Sequence, residues 1–389
     1  MDNFVNFQRQ MNKKKGGLYI HIPYCRHKCL YCDFYTGGLR IAEWDKYVDC
    51  LLNELMQRKD EFDFEIETLY LGGGTPSLIP VKAFLRLMEG INSLLGKSDF
   101  KEFTLEANPE DVTDEKIKVW KDWGVNRVSL GVQTLIDSEL KSIGRWHDSR
   151  SSIVAIEKLR REIGNVSVDV MFGIPGQTVS SYLSTLKRVL KVNPTHISSY
   201  ALMLEEGTAM TQLYNSNRIF LPSESEWLEM YEATINILKG EGYERYEISN
   251  YSKPGKESCH NLSYWEGKPY IGLGPGAHSF DGGKIRKENP NDLKGYLRNF
   301  SNGGDKKFYI EEFLKEDELR EEMILTRLRT SKGLNLKEFA DTFGDEAKEK
   351  LLQNAQNFIF QGKLQKSDDF ICFTDAGFSV SDSILVSLI

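Results

Sequence analysis

The sequence predicts an α/β protein: a partial (β/α)6, TIM-like barrel followed by a small α+β, winged-helix-like domain. Three observations carry this. Six short β-rich runs alternate with amphipathic helical stretches over the first two-thirds of the chain, as repeated βα units require. Polar or glycine-rich elements follow five consecutive runs, so they gather at one mouth. Beyond about residue 313 the pattern changes to helices closed by short strands.

The six runs are Leu18–Ile22, Thr68–Leu71, Phe103–Glu106, Arg127–Gly131, Val166–Met171 and His196–Tyr200. The first helix has a well-defined buried stripe, since Trp44, Tyr47, Val48, Leu51, Leu52 and Leu55 recur at i, i+3, i+4, i+7 spacing. Cys50 sits beside that stripe as packing. After the sixth strand a helix is expected around Glu224–Leu238, then additional sheet and loop over Tyr246–Tyr251, Cys259–Trp265 and Tyr270–Phe280. The tail region reads as helices near Glu316–Leu328, Leu336–Phe343 and Glu346–Phe360, two short strands around Ser367-Asp368-Asp369 and a terminal helix. The expected organisation is therefore an N-terminal tail (1–16), a partial barrel (17–240), a sheet-and-loop extension (241–312) and a C-terminal domain (313–389).

Composition narrows the function classes. The chain has 389 residues, 40% of them hydrophobic, enough for a substantial core without disulfide staples. Three of its six cysteines lie within eight residues, a spacing that suits a metal or redox site in a reducing compartment better than a disulfide framework. The basic run Lys13-Lys14-Lys15 precedes no signal-peptide core, and no long apolar span occurs, so a cytoplasmic location is expected. With 50 basic against 57 acidic residues and net charge -7, nothing calls for nucleic acid as a partner.

The chemistry begins with Cys25, Cys29 and Cys32, a CxxxCxxC loop directly after the first strand. Three thiolates on one short loop can hold three irons of a [4Fe-4S] cubane and leave the fourth open to an exchangeable ligand. The alternative is a closed site, zinc or cluster, with His27 as a fourth ligand. Gly72-Gly73-Gly74-Thr75 follows strand two, Glu106 ends strand three, Gln133 follows strand four, and Arg145 and Asp169 lie on or after later strands. Glycines permit close backbone approach, and the charged and amide groups suit hydroxyl and carboxylate recognition.

This arrangement resembles the radical S-adenosylmethionine superfamily. "LYIHIPYC", "YLGGGTPS", "LEANPE", "GVQT", "GRWH" and "DVMFGIPGQT" match its coproporphyrinogen III oxidase-like branch in order, nearly along the whole chain and including Arg327-Leu328-Arg329-Thr330. The resemblance implies a [4Fe-4S] cluster on Cys25, Cys29 and Cys32. It implies S-adenosylmethionine held by Tyr19, Gly73, Gly74, Thr75, Glu106, Gln133, Arg145 and Asp169.

Two departures select among the members of that branch. The oxidases carry a further cysteine two positions after the third cluster cysteine, and here that position is Phe34. His260-Asn261-Leu262-Ser263-Tyr264-Trp265 resembles the HNxxYW element of the branch's haem chaperones. This implies haem as cargo, with His260, Tyr264 and Trp265 at its site and Cys259 or His278 as alternative ligands; His21 is expected to support the cluster loop. The implied partners are haem, an acceptor protein and a reductant, with peripheral membrane association open. Porphyrinogen decarboxylation is the competing activity, and DNA binding by the C-terminal domain a third reading.

Overall fold

The computed structural model describes residues 14–38, 43–61, 63–96, 99–301 and 307–389. Residues 1–13 of the expected N-terminal tail, Lys13 included, lie outside the described residues.

Six strands, β1 (Lys14–Ile22), β2 (Phe64–Gly73), β3 (Glu102–Ala107), β4 (Arg127–Gln133), β5 (Val166–Phe172) and β6 (His196–Ala201), stand side by side in chain order, all parallel. Every residue of β4 is buried, as expected where both faces of a parallel strand are covered. The principal crossover helices are α1 (Trp44–Arg58), α2 (Val81–Leu95), α3 (Asp114–Asp122), α4 (Ser149–Glu162) and α5 (Val179–Lys191). α1 buries Trp44, Tyr47, Val48, Leu51 and Leu55, the apolar face read from the sequence. Reciprocal capping boxes, Asp148 with Ser151 and Thr178 with Ser181, fix where α4 and α5 begin and so how long the preceding strand-end loops run. β1 starts at Lys14 rather than Leu18, because Lys14–Gly16 still pair with Phe64–Ile66.

The sheet extends at both edges. β7 (Glu244–Arg245) and β8 (Asn250–Ser252) run antiparallel beyond β6; β9 (Tyr270–Leu273) pairs parallel with β1 and is followed outward by antiparallel β10 (His278–Phe280), β11 (Ile285–Glu288) and β12 (Ile310–Phe313). Within this extension Cys259–Trp265 is a helix, α6, and not the sheet or loop expected. Its seven residues are too few to show a helical period, and its start depends on distant groups. Ser258 caps Asn261, and the Glu102 carboxylate accepts the backbone N–H groups of Cys259 and His260 at 2.7 and 3.1 Å.

The C-terminal part contains α7 (Glu316–Leu328), β13 (Leu334–Asn335), α8 (Leu336–Phe343), α9 (Asp345–Phe360), β14 (Leu364–Lys366), β15 (Phe370–Phe373) and α10 (Ser381–Leu388). The three strands form a small antiparallel sheet in the order β13-β15-β14. Leu328, Phe339, Leu351, Ile371 and Phe373 are among the residues of its separate core. It meets the barrel region at α6, where the Arg327 guanidinium donates to the Trp265 carbonyl and Arg329 lies over the Trp265 ring, 5.7 Å from its centroid. No helix among the described residues is long and apolar enough to cross a membrane.

Candidate functional site

β1 ends at Ile22, and the following loop carries the three cysteines. Two backbone bonds tie this loop down: Leu30 N–H donates to the Ile143 carbonyl (3.1 Å), and Met210 N–H donates to the Leu30 carbonyl (2.8 Å). Cys25, Cys29 and Cys32 are all half-buried free thiols and open into one cavity of about 370 Å³. Burial pushes the Cys25 thiol up to about 11 and raises Cys32, so ligation to metal must displace their protons.

β2 supplies the opposite wall. Gly73 has φ +110°, and a Cβ there would lie 2.5 Å from the His21 ring. A Cβ on Gly74 would meet the Ile22 and Tyr24 carbonyls at 2.8 and 2.9 Å and the Cys25 sulfur at 3.1 Å. Both positions therefore require glycine, which lets the chain lie directly against the cysteine loop. Thr75 Oγ1 lies 3.2 Å from Cys25 Sγ. Gly74→Ala is expected to push the two backbones apart and lower the iron and sulfide content of reconstituted protein at least severalfold; wild-type loading would contradict the tight packing.

β3, β4 and β5 contribute the polar floor. Glu106 accepts the Gly73 N–H (3.1 Å) and the Tyr70 hydroxyl (2.7 Å), and burial, reinforced by Asp169, pushes its carboxyl up to about 7. Burial likewise raises Asp169, whose carboxylate accepts from the Ser129 hydroxyl at 3.2 Å. Gln133 is buried at φ +67°, a left-handed conformation costing a non-glycine residue about 1 kcal/mol or more, where the β4–β5 register shifts. Arg145 donates to Asn108 Oδ1 (2.7 Å) and the Tyr31 hydroxyl (2.9 Å). Burial lowers its affinity for the proton, but Tyr31 and Cys29 outweigh that and keep it charged.

Thus Gly73, Gly74, Thr75, Glu106, Gln133, Arg145 and Asp169 share one cavity with the three cysteines. Tyr19 does not join them: its hydroxyl lies 3.0 Å from His21 Nδ1, and His21 Nε2 is 3.1 Å from the Tyr35 carbonyl. Tyr19 and His21 therefore brace the loop from beneath. Asn108, Ser129, Tyr31, Met171 and Tyr200 also line the cavity and escaped the sequence reading. Asn108 had a detectable signal, since it follows the end of β3 two residues after Glu106; Ser129, in the middle of β4, had none.

The donor set fits a cluster better than one ion. Among the described residues no three His, Cys, Asp or Glu side chains converge as a single-ion site, as structural zinc demands. His27 is stacked on Trp146 at the cavity rim, with centroids 3.4 Å apart.

The HNxxYW residues lie elsewhere. His260 is fully buried at the base of the barrel, stacked on Tyr70, with Nδ1 2.7 Å from Thr68 Oγ1 and Nε2 2.8 Å from the Tyr264 hydroxyl. Gly17 makes room for it, since a Cβ there would lie 2.8 Å from the ring. Trp265 faces the C-terminal part through Arg327 and Arg329. The structure brings these residues together in one packed cluster in which His260 is fully buried and Tyr264 and Trp265 are half-buried. Cys259 is half-buried on the same helix, and His278 is exposed on β10.

Comparison with known proteins supports this architecture. Residues 19–189 match the Radical SAM superfamily, and residues 314–380 match the HemN C-terminal domain. Heme chaperone HemW of Bacillus subtilis (strain 168) is 36% identical over 374 residues, covering 91% of this chain and 98% of that protein. Heme chaperone HemW of Lactococcus lactis subsp. lactis (strain IL1403) is 35% identical, covering 96% and 97%. The structure of coproporphyrinogen III oxidase (HemN) from Escherichia coli superimposes with a TM-score of 0.83 at 22% identity, over 100% of this chain and 93% of that one, a likeness of fold. With relatives matched along nearly their whole length at more than a third identity and a cysteine-lined cavity suited to the superfamily's [4Fe-4S] cluster and S-adenosylmethionine, the chain belongs to the HemW family of radical S-adenosylmethionine proteins.

Proposed function

We propose that this chain binds haem and passes it to an acceptor protein, and that its cavity holds a [4Fe-4S] cluster on Cys25, Cys29 and Cys32 with S-adenosylmethionine beside it. The observation that carries the reading is the family match along nearly the entire chain. It is supported at the site by Phe34, an exposed side chain at the cavity rim where the oxidases of this fold are expected to place a further cysteine.

When bound, the cluster and S-adenosylmethionine supply one-electron radical chemistry. The chain's own residues do the holding. The Gly73–Thr75 backbone, which lines the cavity beside the cysteines, would receive the methionyl amino end, since two glycines put no side chain in its way. Arg145, kept cationic, suits the methionyl carboxylate. Asp169 and Gln133 face the same space with hydroxyl-binding groups. Glu106 holds the Gly73 amide and Tyr70, and Tyr19 supports the loop through His21. A cytoplasmic site of action, an external reductant, an acceptor and peripheral membrane contact complete the proposal.

The test uses one reconstituted sample, titrated with haemin and then incubated with coproporphyrinogen, S-adenosylmethionine and a reductant. Haemin uptake near one per chain with no protoporphyrinogen formed is the expected result. Catalytic conversion of the porphyrinogen without haem uptake would replace the carrier reading with the oxidase one.

A further inference from the structure

All six histidines of the chain are among the described residues; three have both ring nitrogens hydrogen-bonded, and a fourth, His147, has a fully buried ring. His21 lies between the Tyr19 hydroxyl and the Tyr35 carbonyl. His147 Nε2 is 3.2 Å from the Val132 carbonyl and Nδ1 3.3 Å from Glu110. His196 lies between Ser167 and Tyr246, and His260 between Thr68 and Tyr264. A haem iron needs a nitrogen lone pair that points outward. Only His27 and His278 remain.

His278 is poorly placed for this task. Its Nε2 is 4.0 Å from a Glu288 carboxylate oxygen, so a porphyrin brought to it would set its anionic propionates near a fixed anion.

His27 has the opposite surroundings. It is exposed at the rim of the cysteine-lined cavity, beside Lys28, Phe34 and Tyr200. Its ring lies flat on Trp146, with an interplanar angle of 10°. Stacking occupies the faces of an imidazole and leaves its in-plane nitrogens free, while fixing the direction in which they point. Phe34 is 64% exposed and Trp146 69%, an unusual amount of aromatic surface left in water around one opening. A flat apolar macrocycle seated on the His27 ring would shield part of it from water.

We infer that haem docks across the mouth of the cavity, its iron ligated by His27, its ring against Phe34 and Trp146, and a propionate on Lys28. The inference rests on the haem-carrying reading above and gives that reading a location. It also places haem over the opening through which S-adenosylmethionine reaches the cavity, so the two compete for access.

The test is a haemin titration of cluster-loaded protein followed by absorption and by ferric-haem electron paramagnetic resonance. Wild type is expected to give a histidine-ligated signature. His27→Ala should weaken affinity at least tenfold and lose that signature, and added imidazole should restore it. His27→Met should exchange the signature for a thioether one, which guards against a folding defect in the alanine variant. Trp146→Ala should weaken binding severalfold and keep the signature, and His278→Ala should change neither. Unaltered affinity and signature in both His27 variants, or their loss in His278→Ala, would overturn the site while leaving the carrier function standing. A wild-type protein that takes up no haemin would remove the carrier function and the site together.

Discussion

Cys29→Ala is expected to abolish cluster assembly and, with it, to weaken S-adenosylmethionine binding by at least about a hundredfold, the largest effect of any single change in the chain. The three thiols stand on one short loop and open into one cavity, so each would supply one corner of a cubane and the loss of one leaves two. A cluster tied at two corners exchanges its iron with solvent, because the chelate is broken. The fold should barely respond. Cys29 is half-buried, and its loop is held by Leu30, whose two backbone bonds the substitution leaves in place, so the cost to the metal-free protein is about 1 kcal/mol or less. Iron and sulfide content against thermal midpoint separates the two quantities. Full iron content in the variant, or one zinc per wild-type chain, would refute the assignment.

His260→Ala is expected to act on stability, lowering it by about 2–4 kcal/mol. The substitution opens a cavity in a fully buried place and strips Thr68 and Tyr264 of their partner. Urea denaturation of the metal-free protein measures it; a loss below about 0.5 kcal/mol would contradict the packing. A pH dependence accompanies the effect. Burial holds His260 down to about 3 and His21 down to about 4, and lowers His196 well below its ordinary range, so all three fold as neutral rings. Each contributes stability that is complete above the unfolded-state pKa near 6.5 and is lost as the pH falls below it. Glu106 opposes them, because its raised carboxyl binds a proton in the folded state first, as the pH falls through about 7. Asp169 and Glu247, whose carboxyls burial also raises, act in the same sense as Glu106, so the comparison that isolates the imidazole is between variants: His260 variants should lose less stability than wild type between about pH 6.5 and 4.

Much of this was legible in the sequence because it is local. A cysteine loop, a glycine triplet and a strand of alternating or continuous apolar residues declare themselves within ten residues, and the strand-end rule then gathers them at one mouth. What the sequence concealed depends on partners far away. α6 is a helix because Glu102 caps it from another strand, and His260 is enclosed because Thr68, Tyr70 and Gly17 surround it. Glu54 and Arg58 appear on the apolar face of α1 as two charges. They are buried together at 3.0 Å, and Glu54 is satisfied by Gly274, Asn289 and Tyr296. Tyr19 is implied by the family resemblance alone, and the contact of its hydroxyl with His21 has no sequence signal of its own.

The contact of Arg327 and Arg329 with Trp265 bears on how such a chain can be taken apart or recombined. Trp265 closes the same short helix that begins with His260, and His260 rests on Tyr70, which donates to Glu106, the acceptor of the Gly73 amide. The C-terminal part is thus not a detachable module. Its two arginines are the last stones of a footing that runs to the glycine wall, and a foreign domain grafted in its place inherits the duty of supplying them.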